Sequence, residues 1–212
     1  MKRTRIVLAD DHTLILEGFR SLLESQCELV GTARDGRSLV EAALRHRPEV
    51  VVLDISMPLL NGIDAARQIR KALPETKILF LTMHANPAYL REALAAGASG
   101  YLLKTSAAEE LAAAVQKIAR GETYFTTGFA EDVGERSGTP PPTISRSRSE
   151  LTARQREILQ LVAEGRTAKQ IGGILNVSVQ TVAFHKYKIM NKLGLRTTAE
   201  LTKYAIQEGL VG

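Results

Sequence analysis

The chain has 212 residues, 44 % of them hydrophobic and 24 % charged, an ordinary balance for a globular protein and enough length for one large or two small domains. No window approaches the ~18 consecutive apolar residues that a membrane-spanning helix needs. The apolar run Ile6–Ala9 behind a basic start is too short for the core of an export signal, and the single cysteine, Cys27, excludes an internal disulfide, so the expected home is a reducing cytoplasm with no membrane partner. The formal net charge of +5 is uneven. Residues 1–126 carry 16 Lys+Arg against 15 Asp+Glu, whereas residues 150–212 carry 9 against 5, which suits a polyanion partner for the C-terminal part or a plain solvated surface.

In chain order, Thr4–Ala9 reads as a buried strand running into Asp10 and Asp11. From His12 to Ser25, Leu14, Ile15, Phe19, Leu22 and Leu23 recur at helical spacing, and Cys27 is expected as a packing thiol in the tail of that helix. Glu28–Ala33 is a second strand, residues 35–38 a turn, and Leu39–Leu44 a helix. Val50-Val51-Val52-Leu53 is short, mostly β-branched and preceded by Pro48, so it reads as a buried strand that delivers Asp54 to its carboxyl end. Ser56, Met57, Pro58, Asn61 and Gly62 then form a loop into a helix over 62–73 that Pro74 stops. A fourth strand runs from Lys77 to Leu81 and ends at Thr82; a helix covers 87–96. A fifth strand, Gly100–Leu103, ends at Lys104, and an amphipathic helix covers 109–120. Five β–α units of this kind predict a doubly wound parallel sheet, with no internal repeat and no phosphate-type Gly-rich loop.

The strand ends carry the chemistry. Asp10, Asp11, Asp54, Thr82 and Lys104 all emerge at the carboxyl edge of the sheet, where open α/β folds bind ligands. Three carboxylates there repel one another. A hard divalent cation relieves that repulsion, and Mg2+ fits because it takes few carboxylates, keeps water and accepts phosphate oxygens. Lys104 and Thr82 add a cation and a hydroxyl, a set suited to a phosphoryl group in transfer. Taken singly, each residue also has a plain reading: Asp10 as a helix cap, Thr82 as a strand-end hydroxyl, Tyr101 as a core aromatic, Lys104 as a helix-entry charge and His12 as a first-turn residue rather than a ligand.

The Asp10-Asp11 pair, Asp54-Ile55-Ser56-Met57-Pro58, Leu81-Thr82-Met83-His84 and Gly100-Tyr101-Leu102-Leu103-Lys104 together resemble the receiver domain of bacterial two-component response regulators, over residues 4 to 121. The resemblance implies a flavodoxin-like fold with Asp54 as the phosphoacceptor. It implies Mg2+ held by Asp10, Asp11, Asp54 and the backbone carbonyl of Ser56, with Lys104 and Thr82 contacting the phosphoryl group. It also implies a Thr82–Tyr101 switch in which the aromatic ring swings inward, a sensor histidine kinase as phosphodonor, and Ser56 and His84 at variable positions that tune the acyl-phosphate lifetime.

Residues 1–125 are thus expected to form the first domain and 126–149 a flexible linker, with Pro140-Pro141-Pro142 as its stiff part and Arg146 and Arg148 as solubilising charges or, as the lesser alternative, contacts to DNA phosphates. Residues 150–212 are expected to form a small all-α domain of four helices. These are a helix capped by Thr152, a short one capped by Thr167, a tight turn at Asn176–Ser178, a helix over Val179–Leu193 stopped by Gly194, and a last helix capped by Thr197 or Thr198. Two short helices joined by such a turn suggest helix-turn-helix. Val182, Ile189 and Leu193 share one face of the third helix; the free face carries Gln180, Thr181, Ala183, Phe184, Lys186, Tyr187, Lys188 and Asn191, which suits a DNA groove.

Leu151-Thr152, Val162-Ala163-Glu164-Gly165, Val177-Ser178, Thr181-Val182, His185 and Lys192-Leu193-Gly194 resemble the LuxR-type helix-turn-helix of NarL/FixJ-type response regulators. That resemblance implies double-stranded DNA as partner, with Thr167, Lys169, Gln180, Thr181, Ala183, Phe184, His185, Lys186, Tyr187 and Lys188 at the interface. It further implies a homodimer on phosphorylation and a dimerisation surface of Leu201, Tyr204 and Ala205. The chain departs from the pattern at Ala183, where many members carry Lys or Glu, and at Gly172, where they carry Ala. The reading is a phosphorylation-dependent transcription regulator that is not an enzyme beyond its own phosphorylation and dephosphorylation. Two rivals are an Asp-nucleophile phosphatase, which lacks the second acid because Ser56 stands where it belongs, and a constitutive DNA-binding protein.

Overall fold

A computed structural model describes residues 3–83, 87–126 and 151–211, which fall into two compact units. The first is a parallel sheet of six strands in the order β2-β1-β3-β4-β5-β6: β1 Thr4–Ala9, β2 Cys27–Ala33, β3 Val50–Asp54, β4 Lys77–Thr82, β5 Gly100–Leu103 and β6 Tyr124–Phe125. Five helices alternate with them: α1 Thr13–Leu23, α2 Gly36–His46, α3 Gly62–Ala72, α4 Pro87–Ala95 and α5 Ala107–Ala119. Both faces of the sheet are covered, as an all-parallel sheet requires. Alternate residues of β3 show it: Val51 and Leu53 join the core under α2, α3 and α4, while Val50 and Val52 join the core under α1 and α5.

Five strands were expected; the sixth, Tyr124–Phe125, pairs in parallel with Gly100 and Tyr101. Two residues are too few to show an alternation. The strand is held instead by the Tyr124 hydroxyl donating to Glu110 at 2.7 Å and by Thr126, whose backbone N–H donates to the Tyr101 carbonyl at 3.0 Å. Thr126 is buried and belongs to this unit, not to the linker; the rest of the expected linker, and His84, lie outside the described residues. Cys27 is not in a helix tail. α1 ends at Leu23, and Cys27 opens β2 opposite Thr4, buried, its thiol pushed up by burial. The expected turn at 35–38 is the start of α2, where the Asp35 carboxylate accepts from the Arg37 and Ser38 backbone N–H groups. The inward face of α1 is Leu16, Phe19 and Leu23, while Leu14 is 89 % exposed.

The second unit holds α6 Ala153–Ala163, α7 Ala168–Leu175, α8 Val179–Leu193 and α9 Thr198–Gln207. Each begins on a hydroxyl cap: Thr152, Thr167 and Thr197 form capping boxes with Gln155, Gln170 and Glu200, and Ser178 accepts from the Thr181 N–H. Ile158, Leu159, Leu161, Ile171, Leu175, Val182, Ile189, Leu201 and Ala205 form the core. Leu193, expected there too, is half-buried.

Candidate phosphoryl-acceptor and DNA-reading sites

The register of the sheet assembles the first site. Ala9 pairs with Leu53 and Asp54 with Leu81, so Asp10 and Asp54 leave neighbouring strands side by side. Thr82 pairs with Leu103, and the Lys104 backbone N–H donates to the Thr82 carbonyl at 2.8 Å, which fixes the origin of the lysine stem. The Lys104 ammonium then lies 2.7 Å from Asp10 Oδ2 and 2.8 Å from Asp54 Oδ2, in a pocket where its side chain is 4 % exposed. Asp54 Oδ1 accepts from the Ile55 N–H at 2.7 Å.

The electrostatics follow from that geometry. Burial pushes the Asp54 carboxyl above its usual range, against the downward pull of Lys104. Burial also pushes the Lys104 ammonium down, but Asp54 and Asp10 outweigh it and hold the lysine charged. Asp10 is buried and its Oδ1 accepts from the His12 N–H at 3.0 Å, while Asp11 is half-buried. His12 Nδ1 stands 2.8 Å from Asp11 Oδ1, so ligand atoms of Asp10, Asp11 and His12 lie within 4.8 Å of one another. Carboxylate oxygens at the mouth of a pocket suit a hard divalent cation, and the donor set fits Mg2+. His12, expected as a first-turn residue rather than a ligand, occupies the N-cap position of α1 and lies beside both acidic residues.

Thr82 is buried and hydrogen-bonds to the Tyr101 phenol, which is itself fully buried and pushed up by burial. The ring is therefore already inside, where an inward swing was expected. The loop from Ser56, half-buried, closes back on β3: the Gly62 N–H donates to the Ile55 carbonyl at 2.8 Å. A Cβ on Gly62 would sit 2.0 Å from the Asp54 carbonyl oxygen, so this approach needs glycine.

In the second unit, α7 and α8 join through Asn176, in the left-handed region at φ 52°, and the Val177 N–H donates to the Gly172 carbonyl at 2.9 Å. Arg154 ties α6 to this turn: it pairs with Glu157 at 2.9 Å and donates to the Leu175 carbonyl at 2.7 Å, satisfying a helix-end acceptor. On α8, Gln180, Ala183, Phe184, Tyr187 and Lys188 are exposed, as is Lys169 on α7. Thr167 and Thr181 are occupied in cap bonds, and Lys186 donates to the Thr198 hydroxyl at 2.8 Å. His185 is half-buried, its ring edge-on to Phe184 at 5.8 Å, rather than on the free face. Two dimer-surface residues are corrected: Leu201 and Ala205 are buried inside the unit, where α9 packs on α6, because a unit this small needs both for its core. Tyr204 is half-buried, and the outward apolar residue of α9 is Ile206, 55 % exposed.

A parallel α/β sheet with an acid–lysine pocket at its carboxyl edge, and a capped helix-turn-helix unit, define a phosphoacceptor joined to a nucleic-acid reader. Residues 6–116 match the response regulator receiver domain, and residues 149–205 match the bacterial regulatory proteins of the luxR family. The chain belongs to the NarL/FixJ-type response regulators, transcription regulators that join these two domains. It is 36 % identical over 212 residues to the transcriptional regulatory protein MctR of Rhizobium johnstonii, covering 99 % of this chain and 96 % of that one. It is 41 % identical over 215 residues to the oxygen regulatory protein NreC of Staphylococcus epidermidis, covering 98 % and 99 %. Among solved structures it resembles the Salmonella typhimurium RcsB response regulator at 28 % identity and a TM-score of 0.61, over 98 % of this chain and 99 % of that one. A structure of two RcsB dimers bound to two parallel DNAs matches at 28 % identity and a TM-score of 0.58, over 96 % and 98 %. No helix among the described residues is long and apolar enough to cross a membrane.

Proposed function

We propose that Asp54 accepts a phosphoryl group from a sensor histidine kinase and that this controls a dimer's grip on DNA. An Asp54 carboxylate oxygen attacks phosphorus, the bond from phosphorus to the donor imidazole nitrogen breaks, and an acyl phosphate forms. Lys104, already bridging Asp54 and Asp10, meets the new charge on the phosphoryl oxygens, and the Thr82 hydroxyl donates to the same group. Asp10, Asp11, Asp54 and the Ser56 carbonyl hold Mg2+, which supplies positive charge to the phosphoryl oxygens when bound. The chain's own phosphorylation and dephosphorylation are its whole chemistry, and it works in the cytoplasm.

The domains run 1–126 and 150–212, joined by 127–149, with Thr126 as the anchor of the first. Phosphorylation pairs two chains, and α8 of each enters a major groove, with Lys169 and Lys186 beside phosphates and Gln180, Ala183, Phe184 and Tyr187 toward base edges. The relatives' roles in transcription and the DNA-bound RcsB dimers support this reading.

The observation that carries it is the single ammonium shared by two carboxylates from different strands. Treatment with acetyl phosphate and Mg2+ should label the wild type, raise its mass in gel filtration and tighten DNA binding, and Asp54→Asn should remove all three. Labelling of Asp54→Asn at wild-type stoichiometry would show that another residue is the acceptor.

A further inference from the structure

The base-facing surface of α8 carries no charge. At 100° per residue, Gln180, Ala183, Phe184, Tyr187 and Asn191 fall within an arc of about 100°, opposite the buried Val182 and Ile189. Every member of that arc is exposed, with Phe184 at 54 % and Tyr187 at 65 %. The lysines border the arc and are held sideways. The Lys188 ammonium lies 4.4 Å from the centre of the Phe184 ring, and Lys186 on the other edge donates to Thr198 at 2.8 Å. α8 contains no arginine.

We infer that α8 selects A·T-rich half-sites by packing Ala183 and Phe184 against thymine C5 methyl groups, with the Gln180 amide on adenine. In the major groove guanine offers two acceptors, best met by a forked or long cation, and this arc has none to give. Thymine offers a methyl group, which a side-chain methyl and an aromatic edge can cover. Gln180 stands in the first turn, where a groove-bound helix reaches base edges, and its amide can bond adenine N6 and N7 together. The lysines on the two borders stand where the phosphates flanking the groove run. The Phe184 ring is pinned by Lys188 on one side and by His185 at 5.8 Å, so it meets the base already oriented.

The inference rests on α8 being the groove-facing helix of the proposed function, and the test separates the two. Full-length protein treated with acetyl phosphate and Mg2+ is used to select duplexes from a pool with a randomised core. The selected duplex is then remade with uracil for thymine, which removes only the C5 methyl. Half-sites rich in A·T are expected, with about a fourfold loss of affinity per contacted thymine replaced. Phe184→Ala should erase the thymine-over-uracil preference only at the base its ring covers and leave Ala183's, whereas Lys186→Ala should weaken both duplexes by the same factor. Selected half-sites that are guanine-rich, or that tolerate uracil without loss, would overturn the methyl readout while leaving α8 as the reader. Failure to select any sequence would overturn both.

Discussion

Replacing Lys104 by Met tests the pocket most directly. Met keeps most of the apolar stem, so packing changes little. The ammonium disappears from between Asp10 and Asp54, both almost fully buried, and leaves two carboxylates without their counter-charge. Breaking a buried ion pair by removing one partner costs about 3–5 kcal/mol. With a urea slope of ~2 kcal/mol/M, the unfolding midpoint of the first unit should fall by about 2 M in the presence of a chelator. Pulsed hydrogen exchange on the peptide holding Val50–Asp54 reads that unit alone. Two further readings isolate the electrostatic cause. Magnesium should raise the variant's midpoint more than the wild type's, because a more negative pocket binds the cation more tightly; occupancy at 100 times the dissociation constant is worth ~2.7 kcal/mol. Adding Asp54→Asn to Lys104→Met should restore much of the loss, since one of the stranded charges is then gone. A Lys104→Met midpoint equal to the wild type's at neutral pH without magnesium would refute the bridged geometry.

Asp54→Asn alone has a pH signature. Burial raises the folded-state carboxyl of Asp54 above its unfolded value, so the native state loses stability as pH climbs from the ordinary aspartate range through the raised one. Asparagine does not ionise, so with chelator present the variant should match the wild type below that window and melt higher above it; a constant difference across pH would exclude the linkage. The paired glycines of α7 should answer in opposite directions. A Cβ on Gly172 meets the Val177 carbonyl oxygen at 2.8 Å, so Gly172→Ala should destabilise by about 1–3 kcal/mol, while Gly173 has open space and Gly173→Ala should stabilise by ~1 kcal/mol. Thermal melts of the two variants, compared with the parent, check both signs.

The strands were legible because each apolar run ends on the residue the site needs, at Asp10, Asp54, Thr82 and Lys104. The caps at Thr152, Thr167 and Ser178 were legible for a similar reason: a hydroxyl stands directly before each helical stripe. What escaped depends on partners distant in the chain. β6 exists only through β5 and Glu110, and Cys27 becomes a strand residue by pairing with Thr4. Asp35-Gly36 has turn composition but caps α2, because the Gly36 N–H reaches the Pro58 carbonyl at 3.4 Å and a Cβ there would lie 1.9 Å from the Leu60 oxygen. Leu201 and Ala205 were given to a partner surface, yet periodicity cannot say whether an apolar stripe faces its own fold or another copy. Only the position of α6 decides that.

The inward position of Tyr101 changes what the switch must do. Its ring is fully buried and its phenol is bonded to Thr82, the hydroxyl proposed above to donate to the phosphoryl group. Where Thr82 donates to the phenol, the phosphoryl group must take that proton rather than draw the ring in from solvent; where the phenol donates, Thr82 can serve both. In the first case the exchange sets a cost equal to one side-chain hydrogen bond, net about 0.5–1.5 kcal/mol. Tyr101→Phe keeps the ring and removes the phenol as a partner, so the hydroxyl does not have to leave it when the phosphoryl group arrives. Affinity for beryllofluoride with Mg2+, measured by calorimetry, should rise by about two- to twelvefold at that cost. Thr82→Ala should weaken binding in either background, and by equal factors only if the phenol plays no part. Unchanged or weaker beryllofluoride binding by Tyr101→Phe would mean that the phenol supports the phosphorylated state instead of competing with it.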